Sequence, residues 1–161
     1  MPTSNPLLRS AADQARLEAG IVDMIEQRTP YQKALGMTVQ ALQPQLVLRF
    51  NWRPDLVGHP QSGRLHGGVI AAVLDSVAGC ALMMGLAAKH PHDTLEQMLH
   101  RVSRLGTIDM RVDYLHPGIG QHFLASADIT RLGGRVGSTQ MRLHNDEGQL
   151  IATAAASCIV S

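Results

Sequence analysis

The chain has 161 residues, of which 45% are hydrophobic and 17% charged, with a formal net charge of +1 at neutral pH. That suits one globular domain with a sizeable core. The near-neutral balance gives no reason to expect nucleic acid, an acidic partner or a membrane surface, and 3% aromatic residues leave too few rings for a base-stacking platform.

Residues 1–10 read as a flexible tail, and residues 11–161 as a single domain. The first eight residues lack a basic stretch followed by an apolar one, so no secretory signal is visible. Ala11 to Gln27 reads as an amphipathic helix with Leu17, Ile21, Met24 and Ile25 on one stripe. Pro30 suits the first turn of a second short helix, which Gly36 ends. Met37 to Leu42 and Leu46 to Trp52 read as strands around Gln43-Pro44-Gln45. Arg53 to Arg64, with Pro54, Gly58, Pro60 and Gly63, reads as a loop.

A twenty-residue apolar run, Val69 to Ala88, then enters through His66-Gly67-Gly68 and carries one charge, Asp75. Its length fits a membrane span. It is, however, rich in Ala and Gly and lacks flanking aromatic or basic anchors. The reading is therefore a buried central helix and no membrane span. An ionisable group in such a helix is paired or working. Thr94 caps a short helix to about Ser103.

The final third is strand-like. Thr107 to Leu115 alternates, with Thr107, Asp109, Arg111 and Asp113 on a polar face against Ile108, Met110, Val112 and Tyr114. Gln121 to Arg131 follows, with Phe123, Ala125, Ala127 and Ile129 on one face. Arg135 to His144 and Gln149 to Val160 form a hairpin. Short connections imply antiparallel pairing. An α+β fold results, an antiparallel sheet wrapped around one long helix with extra helices at the N-terminal end. Cys80 in the helix and Cys158 in the last strand make no disulfide framework and read as buried free thiols, which points to a reducing, cytoplasmic setting.

Leu65-His66-Gly67-Gly68 with Asp75 nine residues after the histidine, Tyr114-Leu115-His116-Pro117-Gly118, and Asn145 to Ala152 together resemble the hotdog-fold acyl-CoA thioesterases of the phenylacetate-pathway type. The resemblance covers about residues 35–160. It implies the hotdog fold, obligatory dimers that can pair into tetramers, and hydrolysis of an acyl-CoA thioester by water. No cofactor is implied beyond the coenzyme A of the substrate.

The residues suit that chemistry. Gly67 and Gly68 open a helix whose free N–H groups favour negative charge, and the resemblance makes the Gly67 N–H the oxyanion donor. Two glycines also serve a plain loop-to-helix turn. Asp75 is the expected catalytic carboxylate, as general base toward water or as direct nucleophile. An aspartate held by neighbouring N–H or hydroxyl groups is the alternative. Eight residues separate Gly67 from Asp75, about 12 Å along a helix, so one thioester cannot touch both within one chain. A two-fold dimer pairing Gly67 of one subunit with Asp75 of the other resolves this. Thr107 stands where the family carries a Ser or Thr that helps position the water. The alternation puts it on the polar face, out of reach unless a bulge re-aims it.

His66 either braces the loop or touches the thioester. Relatives carry an Asn or Gln amide six or seven residues before this histidine. Here those positions hold His59 and Pro60, with Gln61 adjacent: either His59 substitutes as a donor or that contact is missing, and His59, Gln61 and Gly68 are the substrate-binding candidates at this end. Arg131, Gly134 and Arg135 resemble the turn that meets the nucleotide end of coenzyme A, and Arg64 is a further candidate there. Met83 and Met84 are candidates to line an acyl tunnel. The other function class on this fold is a non-catalytic acyl-CoA-binding module. A hotdog hydratase is a third, more distant one. Metal-ligand spacings, a Gly-x-Ser-x-Gly elbow and a Walker loop do not occur.

Overall fold

The computed structural model describes residues 9–161. Most of the expected tail lies outside them. The described part of it is tied down: Arg9 donates to the carbonyls of His90 and Asp93. Ser10 caps the first helix, α1 (Ala11–Asp23), by accepting the Asp13 N–H. The chain then widens into a π turn at Met24–Arg28. Helix α2 (Pro30–Leu35) starts on its proline and ends at Gly36, whose φ of 70° suits glycine.

Eight strands follow. β1 (Thr38–Ala41), β2 (Val47–Asn51), β6 (His122–Leu132), β7 (Val136–Asn145), β8 (Leu150–Ile159) and β5 (Gly106–Tyr114) form one antiparallel sheet in that spatial order. The expected loop at 53–64 holds more structure than its Pro and Gly content suggests. A 3-10 turn at Pro54–Leu56 leads into a small hairpin of β3 (Val57–His59) and β4 (Arg64–Leu65).

Helix α3 (Gly67–Lys89) packs against β5, β6, β7 and β8, and helix α4 (Leu95–Val102) follows it behind a capping box of Thr94 and Gln97. This is the expected hotdog arrangement. α3 is long and apolar enough to cross a membrane, with a mean hydropathy of 2.0, but here it is the core helix. Val73, Leu74, Val77, Ala78 and Leu82 are wholly inaccessible. Each large apolar side chain so buried contributes roughly 1.5–3 kcal/mol. The burial is one-sided, however. Gly68, Ala72, Asp75, Ser76 and Gly79 recur at helical spacing and remain partly accessible. Asp75 is therefore half-buried on the open face of a core helix, which lowers the cost of keeping a carboxylate there.

Candidate active site

The turn into α3 is fixed from several directions. The Trp52 indole donates to the Gly63 carbonyl, the Leu65 N–H to Gly118 and the His66 N–H to Leu56. His66 is the N-cap of α3, and its Nδ1 accepts the Gly68 N–H at 2.9 Å. A Cβ at Gly68 would stand 2.9 Å from that nitrogen, so glycine is what allows the imidazole to lie across the turn. Of the two roles open to His66, the bracing one is thus seen. The Gly67 N–H, first of the helix, has no intrahelical partner by construction and remains available to a ligand.

Two turns further along, the Thr107 hydroxyl donates to Asp75 Oδ1 at 2.7 Å. The simple alternation placed Thr107 away from the helix. The structure corrects this through a bulge: Thr107 pairs with Cys158, and Asp109 with the adjacent Ser157. Ile108 is the extra residue, extruded and 61% exposed. The same edge strand leaves Tyr114 half exposed, so only Met110 and Val112 of its expected apolar face pack on the core. The Cys158 thiol sits 3.9 Å from the Thr107 hydroxyl, and burial pushes it up from its ordinary value, with Thr107 opposing and the Asp75 charge adding to the rise. It stays protonated and donates weakly to Thr107, whose own proton is thereby aimed at Asp75.

Asp75 and Thr107 open onto a cavity of about 430 Å³ between α3 and the N-terminal helices. Its remaining wall is mostly apolar and includes Met24, Ile25, Gly79, Met83, Val102 and Leu105. Gly79 forms part of the floor, where a Cβ would meet only Leu105, at an ordinary 3.5 Å. Met83 lines this cavity as expected. Met84 does not: it faces a separate hollow beside Gln43–Leu46. The Gln32 amide donates to Cys80 at 3.5 Å, and its oxygen is buried without a partner among the described residues. Burial pushes the Cys80 thiol up to about 12, so it is a packing group and not a nucleophile.

The other expected residues divide. Arg64 shares a surface cleft with Gly67, Tyr114, His116 and Pro117. His59 and Gln61 lie on the exposed β3–β4 hairpin, His59 sharing a hydrogen bond with Ser62, and neither lines that cleft or the Asp75 cavity. Gly134 borders a cleft of about 540 Å³ formed with Lys89, His100, Arg101 and Arg104 and also with Asp93 and Glu96, Arg101 pairing with Asp93 at 2.9 Å. The Lys89 ammonium donates to the Gly133 carbonyl there. Arg131 and Arg135 are exposed on either side of this turn and do not line the cleft. Sequence reasoning missed Lys89, Arg101 and Arg104, which meet the turn only through the tertiary fold.

A thioesterase superfamily model matches residues 62–152, a stretch that holds His66, Gly67, Asp75 and Thr107. The chain belongs to the thioesterase superfamily. It is a thioester hydrolase of hotdog fold. It is 37% identical, over 92% of its length and 96% of the relative's, to the medium/long-chain acyl-CoA thioesterase YigI of Escherichia coli K12. A crystal structure from Shewanella oneidensis, related to the thioesterase superfamily, superposes with a TM-score of 0.88 at 37% identity, covering 94% of this chain and all of that one. A phenylacetic-acid-degradation-related protein from Ralstonia eutropha shares the fold at a TM-score of 0.66 and 22% identity, over 87% of this chain and 98% of that one.

In such a hydrolase Thr107 occupies one oxygen of Asp75 and leaves the other for water or substrate. Thr107→Val, which keeps the shape and removes the hydroxyl, is expected to lower turnover about tenfold, below the usual range for removing an acid–base group. Thr107→Ser is expected to stay within about twofold of the native rate, since it retains the donor. Equal turnover of the native and Val proteins would show that the 2.7 Å bond has no part in the rate.

Proposed function

We propose that the protein hydrolyses medium- to long-chain or aryl acyl-CoA thioesters to the free acid and coenzyme A. The observation that carries this is the Thr107-supported Asp75 carboxylate in the wall of an apolar cavity. The acyl group enters that cavity, and the thioester carbonyl stays at its mouth beside Asp75. The Asp75 carboxylate draws a proton from water, the water oxygen attacks the carbonyl carbon, and the charge that develops on the carbonyl oxygen is met by the Gly67 N–H; the tetrahedral intermediate then collapses, the C–S bond breaks, and the proton held by Asp75 passes to the departing coenzyme A thiolate.

That donor comes from a second subunit. Gly67 and Asp75 stand on one rigid helix eight residues apart, about 12 Å at 1.5 Å per residue. The partly accessible stripe of Gly68, Ala72, Asp75, Ser76 and Gly79 gives such a partner room to approach. The working unit is a homodimer with two shared sites, and dimers can pair further into tetramers. Lys89 and Arg104 near Gly134, together with Arg64, supply positive charge for the phosphates of coenzyme A, while Arg101 is paired with Asp93. No further cofactor takes part. Two buried free thiols suit a cytoplasmic setting.

A series of acyl-CoA thioesters followed by thiol release tests this reading. KM is expected to fall from acetyl to hexanoyl to decanoyl, since each buried CH₂ contributes about 0.8 kcal/mol. Gly79→Leu, which fills the floor of the cavity, is expected to raise KM for decanoyl-CoA about tenfold or more and to change the acetyl ester little. Equal KM values along the series, or a Gly79→Leu profile like the native one, would exclude this cavity as the acyl site.

A further inference from the structure

Tyr114 lies outside the acid–water–oxyanion scheme above, yet it touches the oxyanion turn directly. It is the last residue of β5, the strand whose second residue, Thr107, holds Asp75. The Tyr114 hydroxyl donates to the Gly67 carbonyl at 3.0 Å. Its ring lies along Gly67: a Cβ there would meet the ring carbons at 3.4 and 3.5 Å.

The carbonyl of Gly67 and the N–H of Gly68 are two ends of one planar peptide unit. Tyr114 grips the oxygen end. The nitrogen end donates to His66 Nδ1 at 2.9 Å. A continuous chain therefore runs from the Tyr114 O–H through the Gly67–Gly68 peptide to His66. A hydrogen bond on a peptide oxygen strengthens donation by its N–H, so the two contacts reinforce each other. The Gly67 N–H itself belongs to the preceding His66–Gly67 peptide, whose oxygen accepts the Val69 and Ile70 N–H groups, so Tyr114 reaches that donor by holding the Gly67 residue between the two peptides. An Nδ1 that accepts a hydrogen bond carries no proton, and the neutral ring then holds its proton on Nε2.

We infer that Tyr114 is a positioning residue: by holding the Gly67 carbonyl and lying along Gly67 it steadies the residue that carries the oxyanion N–H, and through the Gly67–Gly68 peptide it fixes His66 as the neutral tautomer protonated on Nε2. The catalytic part of this inference rests on the acyl-CoA hydrolase reading. The tautomer part stands on geometry alone. With Nδ1 occupied, His66 has no free basic nitrogen, so proton abstraction is left to Asp75. Tyr114 thus links the two catalytic elements of α3 to a single strand, with Thr107 at one end and itself at the other.

Tyr114→Phe tests this by keeping the ring and deleting one hydroxyl. With decanoyl-CoA, kcat is expected to fall about tenfold with KM within about twofold, a smaller loss than removal of an oxyanion donor outright. The melting temperature is expected to shift little, because the hydroxyl is on a half-exposed side chain. Nitrogen-15 spectra of histidine-labelled protein give a second readout independent of turnover. The native His66 signal, identified by its loss in His66→Gln, is expected to show the Nε2–H tautomer alone, and Tyr114→Phe to show a mixture. A native-like kcat, or a loss confined to KM, would overturn the positioning role. A native His66 protonated on Nδ1, or a tautomer unchanged in Tyr114→Phe, would overturn the coupling through the peptide, whether or not decanoyl-CoA proves to be a substrate.

Discussion

Asp75→Asn should fold normally, bind acyl-CoA, and lose at least about a hundredfold in turnover, the low end for a positioned acid–base group. The substitution is nearly isosteric. The amide oxygen can still accept the Thr107 proton, so the 2.7 Å contact that joins α3 to β5 can survive. Asp75 is half-buried and forms no ion pair among the described residues, so removing its charge strands no partner. What the asparagine lacks is basicity. Kinetics with decanoyl-CoA, alongside equilibrium binding of a non-hydrolysable thioether analogue, separates the two effects: the affinity should be retained while kcat collapses. Native-like turnover in a folded Asp75→Asn protein would remove Asp75 from the mechanism.

Mixing two inactive proteins should restore activity. Gly67→Pro deletes the proposed oxyanion donor. The position tolerates it, because Gly67 is the first residue of α3, where proline is at home, and His66 before it has φ −65° and ψ 136°, an extended conformation that a following proline favours. Asp75→Asn retains the donor and lacks the base. In a mixed dimer one site collects both lesions and the other neither. Random pairing makes half the dimers mixed, each with one intact site of two, so activity should return to about a quarter of the native value for a two-fold assembly. Native mass spectrometry would establish that subunits have exchanged. Exchange without recovered activity would show that each site draws on one chain alone.

Asp75 was legible because a lone charge in an apolar run is chemically conspicuous, and the glycines before it because a helix start is a local event. The outline of α3 followed from its apolar run, and β7 and β8 from the hairpin turn between them, for the same reason. The direction of Thr107 was not legible. It depends on Ile108 being squeezed out where β5 pairs with Cys158 and Ser157, and that choice is made by residues fifty positions away. The β3–β4 hairpin was hidden by the Pro and Gly residues around it. Lys89, Arg101 and Arg104 carry no local mark of their shared cleft, since only the fold brings α4 and the end of α3 to the Gly133-Gly134 turn. Arg131 and Arg135 were the visible charges there, yet they flank the cleft instead of lining it.

The cavity beside Asp75 is walled by two stretches of chain far apart in sequence. Asp75, Thr107, Gly79 and Met83 lie inside the segment that the thioesterase superfamily shares, residues 62–152. Met24, Ile25, Thr29, Tyr31 and Gln32 lie outside it, on the π turn and α2. The N-terminal helices thus supply part of the chamber and none of its carboxylate–hydroxyl pair. An insertion or a lost helical turn near residue 24 can resize the chamber without moving the carboxylate.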